Sequence, residues 1–314
     1  MSEQQQKKLK DMLSMSLKLT AQEEQSYDDV KIDDERRKFL DSAINEVLEN
    51  DEGHRITLMT QLFLTYKPDE KFGDEKLEEL QNLYEELNYL NEGLDIAKVF
   101  TSNGGMKHNM AFLKKSPHEE LKIEAANLIG NSTHNNPVVQ VAILEQHGII
   151  LLLYHIKNST NDGLVVKSLY ALSALVGGND YAEKELCKLI DDTFFMNIFD
   201  RDNEKIRTKS SFLLMKVVSS DALSLHAVER LITNKLVLKV FEILESPLQA
   251  IHGHILNLLL ACFGKIEPKK LLTSIEIEKG FEILKNSCQR MKNEDKESYE
   301  LELESCKKLM AQLK

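Results

Sequence analysis

Tryptophan is absent from this chain, and proline, glycine and cysteine are scarce, at 5, 13 and 4 of 314 residues. With so few helix breakers and a dominance of Leu, Lys and Glu, the composition favours helix, where those side chains lose little rotamer freedom. It excludes a collagen-like chain. Cys187, Cys262, Cys288 and Cys306 never approach a CxxC spacing, which argues against both a zinc site and a disulfide framework. They read as free thiols of a reducing compartment. No apolar stretch like a signal peptide follows Met1, and the longest apolar segment is IILLLYHI at 149–156. A membrane-spanning helix needs about 20 such residues. The expectation is a cytosolic or nucleocytoplasmic protein, without membrane attachment.

Basic charge is also in deficit. There are 40 Lys+Arg against 51 Asp+Glu, a formal net charge of −11. The acids concentrate at residues 21–52 (12 acids, 4 bases) and 69–95 (10 acids, 2 bases), which leaves the remainder at +5. A nucleic-acid groove needs a local surplus of Lys and Arg against the phosphates, and the chain carries no basic stripe. Catalytic signatures are missing as well: no GxSxG elbow, HExxH helix, Walker-type loop or GxGxxG after a strand. Gly104-Gly105 reads as a helix stop, since glycine tolerates the left-handed turn. His252 and His254, two apart on a helix, face different ways. Asp191-Asp192 reads as helix-start acids at the positive end of the dipole. The sequence therefore gives no reason to expect an enzyme, a cofactor or a metal.

What is there is helical periodicity. Residues 1–34 read as a flexible tail, with Leu9, Met12, Leu13, Ser16 and Leu17 able to form one short amphipathic turn. Phe39, Leu40, Ile44, Val47 and Leu48 then recur at the three- and four-residue spacing of a core-facing stripe. A second helix runs through Ile56, Met59, Leu62 and Phe63 and ends at Pro68, so 35–68 reads as an N-terminal helical cap. A third carries Leu77, Leu80, Leu83, Leu87 and Leu90. Near the other end, Glu276–Met291 and Lys296–Leu313 read as two helices, with Ile277, Phe281, Leu284 and Cys288 on one face. We expect 266–314 to close the array as a C-terminal helical cap.

Between the caps lies an internal repeat. IEAANLIG (123–130), VKSLYALS (166–173), TKSSFLLM (208–215) and HGHILNLL (252–259) align without gaps, at offsets of 43, 42 and 44 residues. Each is bounded by short breaks such as Ser116-Pro117, Asn135-Asn136-Pro137, Asn161-Asp162-Gly163 and Gly177-Gly178-Asn179. Two further helices fit between anchors, for example 138–146 and 149–157 around the turn His147-Gly148. Three helices in about 42 residues is the armadillo arrangement. One such unit cannot bury its apolar face alone, so neighbours stack. The expected fold is an all-α, armadillo-like right-handed solenoid with repeats over 69–265.

In a stacked solenoid the third helix of each unit lines the concave face. In 164–176 the core stripe is Val165, Ser168, Leu169, Leu172 and Leu175, which turns Lys167, Tyr170 and Ala174 outward. The same register gives Glu124, Asn127 and Asn131, then Lys209, Phe212 and Lys216, then Gly253, Leu256 and Leu260. Asn, Lys, Tyr and Phe together suit a protein partner.

Several of these stretches carry a family resemblance. LDIAKVFTSNGGM (94–106), LKIEAANLIGNSTHNNPVVQ (121–140), KSLYALSALV (167–176) and KSSFLLMKVV (209–218) resemble the armadillo-type nucleotide exchange factors of the cytosolic seventy-kilodalton heat-shock chaperone. DDERRKFLDSAI (33–44) and LKDMLSMSL (9–17) are similar to the same heat-shock-chaperone-binding protein and Fes family, so the likeness covers about 9–263. It implies a monomeric co-chaperone that binds the chaperone's ATPase domain along the groove and opens its nucleotide cleft, so that ADP leaves. It points to Ala97, Lys167, Tyr170, Lys209 and Phe212 as contacts, with Asn127, Asn131 and Asn136 as neighbours. Leu9, Met12, Leu13 and Leu17 match the segment that aids client release. The chain departs from the family pattern at Ile96, where the family tends to read Asn, and at Glu124, where a basic or small residue is common. The alternative reading is an armadillo adaptor without exchange activity.

Overall fold

A computed structural model describes residues 51–247, 249–295 and 297–314. The chain divides into two compact units, 1–58 and 59–314. Of the first, only 51–58 are described, most of them in helix α1 (Glu52–Phe63). The stripe at 39–48 and the amphipathic turn at 9–17 lie outside the described residues.

Every regular element among the described residues is a helix, as the composition implies. After α1 come α2 (Asp74–Leu90), then four triplets, each of two shorter helices followed by a long one. The first is α3 (Leu94–Ser102), α4 (Gly105–Lys115) and α5 (Glu119–Thr133). The second is α6 (Pro137–Leu144), α7 (Gly148–Asn158) and α8 (Asp162–Val176). The third is α9 (Asp180–Leu189), α10 (Asp192–Phe199) and α11 (Glu204–Ser219), and the fourth α12 (Leu225–Leu231), α13 (Asn234–Glu245) and α14 (Ile251–Lys265). The chain closes with α15 (Pro268–Leu271), α16 (Ser274–Asp295) and α17 (Glu300–Gln312). The four sequence anchors fall inside the long third helices α5, α8, α11 and α14, which bears out the armadillo-like reading.

The breaks between helices work as the sequence suggests. Asn161, Asn179, Asp191 and Asn203 each accept a hydrogen bond from the backbone N–H three residues on, at 3.0–3.2 Å. Such a cap satisfies one of the orphan donors of the first turn. The turn between α3 and α4 uses both of its glycines, for different reasons. Gly104 takes the left-handed conformation (φ +85°), and Gly105 lets the backbone approach the Phe100 ring, where a Cβ would sit 2.3 Å away. The end of α1 differs from expectation. It stops at Phe63, before Pro68, and Leu62 is 50% exposed instead of joining the core. The chain turns there because the Thr65 hydroxyl and N–H both bond to Leu62 O.

The long helices stack in the order α2, α5, α8, α11, α14 and α17. Their facing residues form the core: Val165, Ser168, Leu169, Leu172 and Leu175 of α8 are all fully buried. With no tryptophan available, Phe63, Tyr84 and Phe112 fill the amino-terminal end of this unit, with ring centroids 5.2–6.0 Å apart. Consecutive triplets are also stitched by side chains that satisfy carbonyls at the ends of the preceding triplet's helices. His155 Nε2–H donates to Leu113 O (2.9 Å), Arg201 to Ser159 O (2.9 Å) and Arg290 to Ser246 O (2.7 Å). Each spans about one repeat and meets the negative end of a helix dipole. Among the described residues no single helix is long and apolar enough to cross a membrane, and the run 149–156 is instead mostly buried within α7. The four cysteines are free and buried, and burial pushes Cys187 up to about 11 and Cys262 up to about 12.

Burial also holds the imidazoles of His108, His155 and His252 below their ordinary pKa. The folded chain therefore binds their protons less readily than the unfolded chain, whose histidines titrate near a pKa of about 6.5. Stability is full above that value and falls as pH drops below it. The urea midpoint is expected to be lower at pH 5.5 than at pH 7.5, and His155→Gln should shrink the difference. Identical pH slopes for wild type and variant would contradict this.

Candidate functional site

Six of the expected contact residues come together on the outward face of the stacked third helices. Each reaches back or across to its neighbour about one period away. Lys167 Nζ of α8 donates to Asn127 Oδ1 of α5 at 2.8 Å, and the Tyr170 hydroxyl donates to Asn131 Oδ1 at 3.0 Å. The ammonium of Lys209, on α11, sits 5.2 Å above the centre of the Tyr170 ring. Phe212, one turn further along α11, packs against His254 of α14 with centroids 4.5 Å apart. The row Asn127, Asn131, Lys167, Tyr170, Lys209 and Phe212 is thus one continuous surface across three helices.

Two residues hold this row without having been picked out as contacts. Asn88 of α2 accepts hydrogen bonds on its side-chain oxygen from Asn127 Nδ2 (3.0 Å) and Asn131 Nδ2 (3.1 Å). Its own amide donates to Glu124 Oε2 (3.0 Å) and to Tyr84 O (2.9 Å). Burial pushes the Glu124 carboxyl up; Lys167 opposes that shift and Glu85 adds to it. The signal for Asn88 was present: it lies one 43-residue offset before Asn131. The apolar stripe of α2 drew attention to its leucines instead.

The ring of Tyr170 needs room, and Gly130 supplies it. A Cβ at Gly130 would stand 2.3 Å from the Tyr170 ring, closer than any real contact allows. The terminal glycine of IEAANLIG therefore serves the helix–helix approach of α5 and α8. Burial, aided by Glu92, raises the Tyr170 hydroxyl above its ordinary pKa, so it stays a donor to Asn131.

Two expected contact residues lie elsewhere. Ala97 is 1% exposed, facing inward from α3. Asn136 is also 1% exposed, and its amide donates to Leu94 O at 2.9 Å, tying the start of α6 to α3. Asn136 serves the joint between first helices, and burial leaves neither side chain exposed to a partner. The outward register also fails at Ala174 and Leu256, which are buried. On α8, Ser173 takes the place of Ala174, and its carbonyl accepts from Lys216 Nζ at 3.0 Å. Leu9, Met12, Leu13 and Leu17 lie outside the described residues. No group of three or more metal-ligating side chains converges among the described residues.

Residues 96–235 match the family model of the SIL1/FES1/HPBP1 C-terminal domain, which bears out the resemblance read from the sequence. The chain is 25% identical over 236 residues to Hsp70-binding protein 1 of Mus musculus, covering 74% of this chain and 64% of that protein. It is 32% identical over 116 residues to the Hsp70 nucleotide exchange factor FES1 of Mycosarcoma maydis, covering 37% of this chain and 29% of that one. The chain thus spans a little under two thirds of the mouse protein and under one third of the Mycosarcoma protein. Among solved structures, a designed armadillo repeat protein in complex with the peptide (KR)4 superposes with a TM-score of 0.59 at 12% identity, over 81% of this chain and 99% of that one. At that identity the likeness establishes the fold alone.

The close approach at Gly130 is testable. Gly130→Ala should destabilise the protein by about 1–3 kcal/mol through overpacking. In a Tyr170→Ala background the same substitution should cost little, because the ring it strikes is gone. A penalty of equal size in both backgrounds would place the strain elsewhere.

Proposed function

We propose that this chain, whose residues 96–235 match the SIL1/FES1/HPBP1 C-terminal domain, is a co-chaperone that binds the ATPase domain of the cytosolic seventy-kilodalton heat-shock chaperone and promotes ADP release. The observation that carries this reading is a coincidence of position. The surface running from Asn127 to Phe212 lies entirely within the matched segment, and relatives of that segment are named for Hsp70 binding and nucleotide exchange. On this reading Asn127, Asn131, Lys167, Tyr170, Lys209 and Phe212 are the docking face, and the protein acts as a cytoplasmic monomer. The segment with Leu9, Met12, Leu13 and Leu17 is assigned the auxiliary role of aiding client release.

The mechanism needs only differential binding. A rigid face that fits the open, nucleotide-poor ATPase domain better than the closed ADP-bound one shifts the equilibrium towards the open form. Linkage then requires that bound ADP weaken the co-chaperone by the same factor. Several features favour rigidity here. The row's polar side chains are fixed by one another, and the helices beneath are tied by buried bonds such as Tyr84 OH to Asn109 Oδ1 (3.1 Å). A preorganised face loses less entropy on docking.

The test is the dissociation rate of a fluorescent ADP from purified chaperone, chased with excess ATP, with and without this protein. A saturable acceleration is expected. Lys209→Glu should weaken binding by about tenfold, as reversal of a charge at an interface does, while leaving the melting temperature unchanged. Binding without acceleration would instead support an armadillo adaptor.

A further inference from the structure

The charged groups of the third-helix face are segregated. Towards α2 and α5 it carries Glu85, Glu92 and Glu124; towards α8 and α11 it carries Lys167, Lys209 and Lys216. Glu85 and Glu92 are exposed and the other four are half-buried. Their neighbours confirm the shared face. Glu85 acts on the Glu124 carboxyl, and Glu92 acts on the Tyr170 hydroxyl.

The direct partners of the four half-buried charges are neutral groups, although Lys167 lies near enough to Glu124 to act on it, and Glu183 of α9 acts on Lys216. Glu124 accepts from the Asn88 amide at 3.0 Å, and Lys167 donates to the Asn127 amide oxygen at 2.8 Å. Lys209 lies over the Tyr170 ring at 5.2 Å, and Lys216 donates to the Ser173 carbonyl at 3.0 Å. Among the described residues none of the six forms a salt bridge, whereas lysines off this face commonly do, such as Lys122 with Glu119 and Lys239 with Asp200. Amide, ring and carbonyl partners fix geometry but leave the net charge in place. A face built this way presents an acidic half and a basic half to whatever docks on it.

We infer that the partner docks in one direction, with a basic patch against the α2–α5 half and carboxylates against the α8–α11 half. The inference rests on the chaperone reading and adds to it the charge pattern of the partner surface. Complementary charge chiefly speeds association and suppresses wrong orientations, and it fades with salt.

The test measures association rates of the full chain with the purified chaperone ATPase domain, at low and at high salt. Glu85→Lys with Glu92→Lys should slow association about tenfold at low salt and much less at high salt. The milder pair Glu85→Gln with Glu92→Gln keeps side-chain volume and should slow it about threefold. Glu278→Lys with Glu294→Lys, exposed on α16 away from this face, makes the same net-charge change and should act less than twofold. Equal effects of the Glu85/Glu92 and α16 pairs, or no effect of either Glu85/Glu92 pair, would overturn the inference while leaving the chaperone reading intact. Failure of the wild-type chain to bind the ATPase domain would overturn both.

Discussion

The stacking of one long helix on the next, at a fixed offset of about one repeat, is the constraint on which the rest of this protein depends. A triplet of helices exposes an apolar face that only its neighbours can cover. The stacked helices must therefore approach closely, and at the α5–α8 contact that approach requires glycine at 130, because the Tyr170 ring occupies the space a side chain would need. Once the helices are in register, residues one period apart meet, and the bonds Lys167–Asn127, Tyr170–Asn131 and Asn131–Asn88 follow from the same offset. Core and surface are two consequences of one geometry.

That geometry also explains how a face of polar and charged side chains becomes rigid. An isolated surface lysine is mobile and contributes little when paired, because ordering it costs entropy. Here Lys167 and Lys209 are half-buried and held by Asn127 and the Tyr170 ring, so part of that entropy is already lost in the free protein. The cations at the triplet joints play the complementary role. His155 and Arg201 cap helices of the preceding triplet, and Arg290 of α16 caps the fourth triplet, resisting local opening at those joints. A face assembled from several triplets holds its shape only if those joints hold.

Much of this was legible in the sequence, because period and stripe are local signals. The anchors at 123–130, 166–173, 208–215 and 252–259 mark the third helices, and the buried stripe of α8 falls where the spacing put it. What was not legible depended on contacts between elements. Ala97 and Asn136 were singled out by the family resemblance, yet both are buried, and the joint of α3 and α6 takes up the Asn136 amide. Leu62 has the spacing of a core residue but lies on the exposed side of α1's last turn. Asn88 was hidden for the opposite reason. Its helix was read for its leucines, and only extension of the repeat backwards by one period shows that it faces Asn127 and Asn131.

We propose that the stacked third helices form the face that receives the chaperone. Placing a photo-crosslinking amino acid at Phe212, and separately at Tyr154 on the exposed side of α7, tests it most directly. Crosslinks to the chaperone's ATPase domain are expected from position 212 and none from position 154. Crosslinks from 154 alone would contradict it and move the docking surface to the second helices.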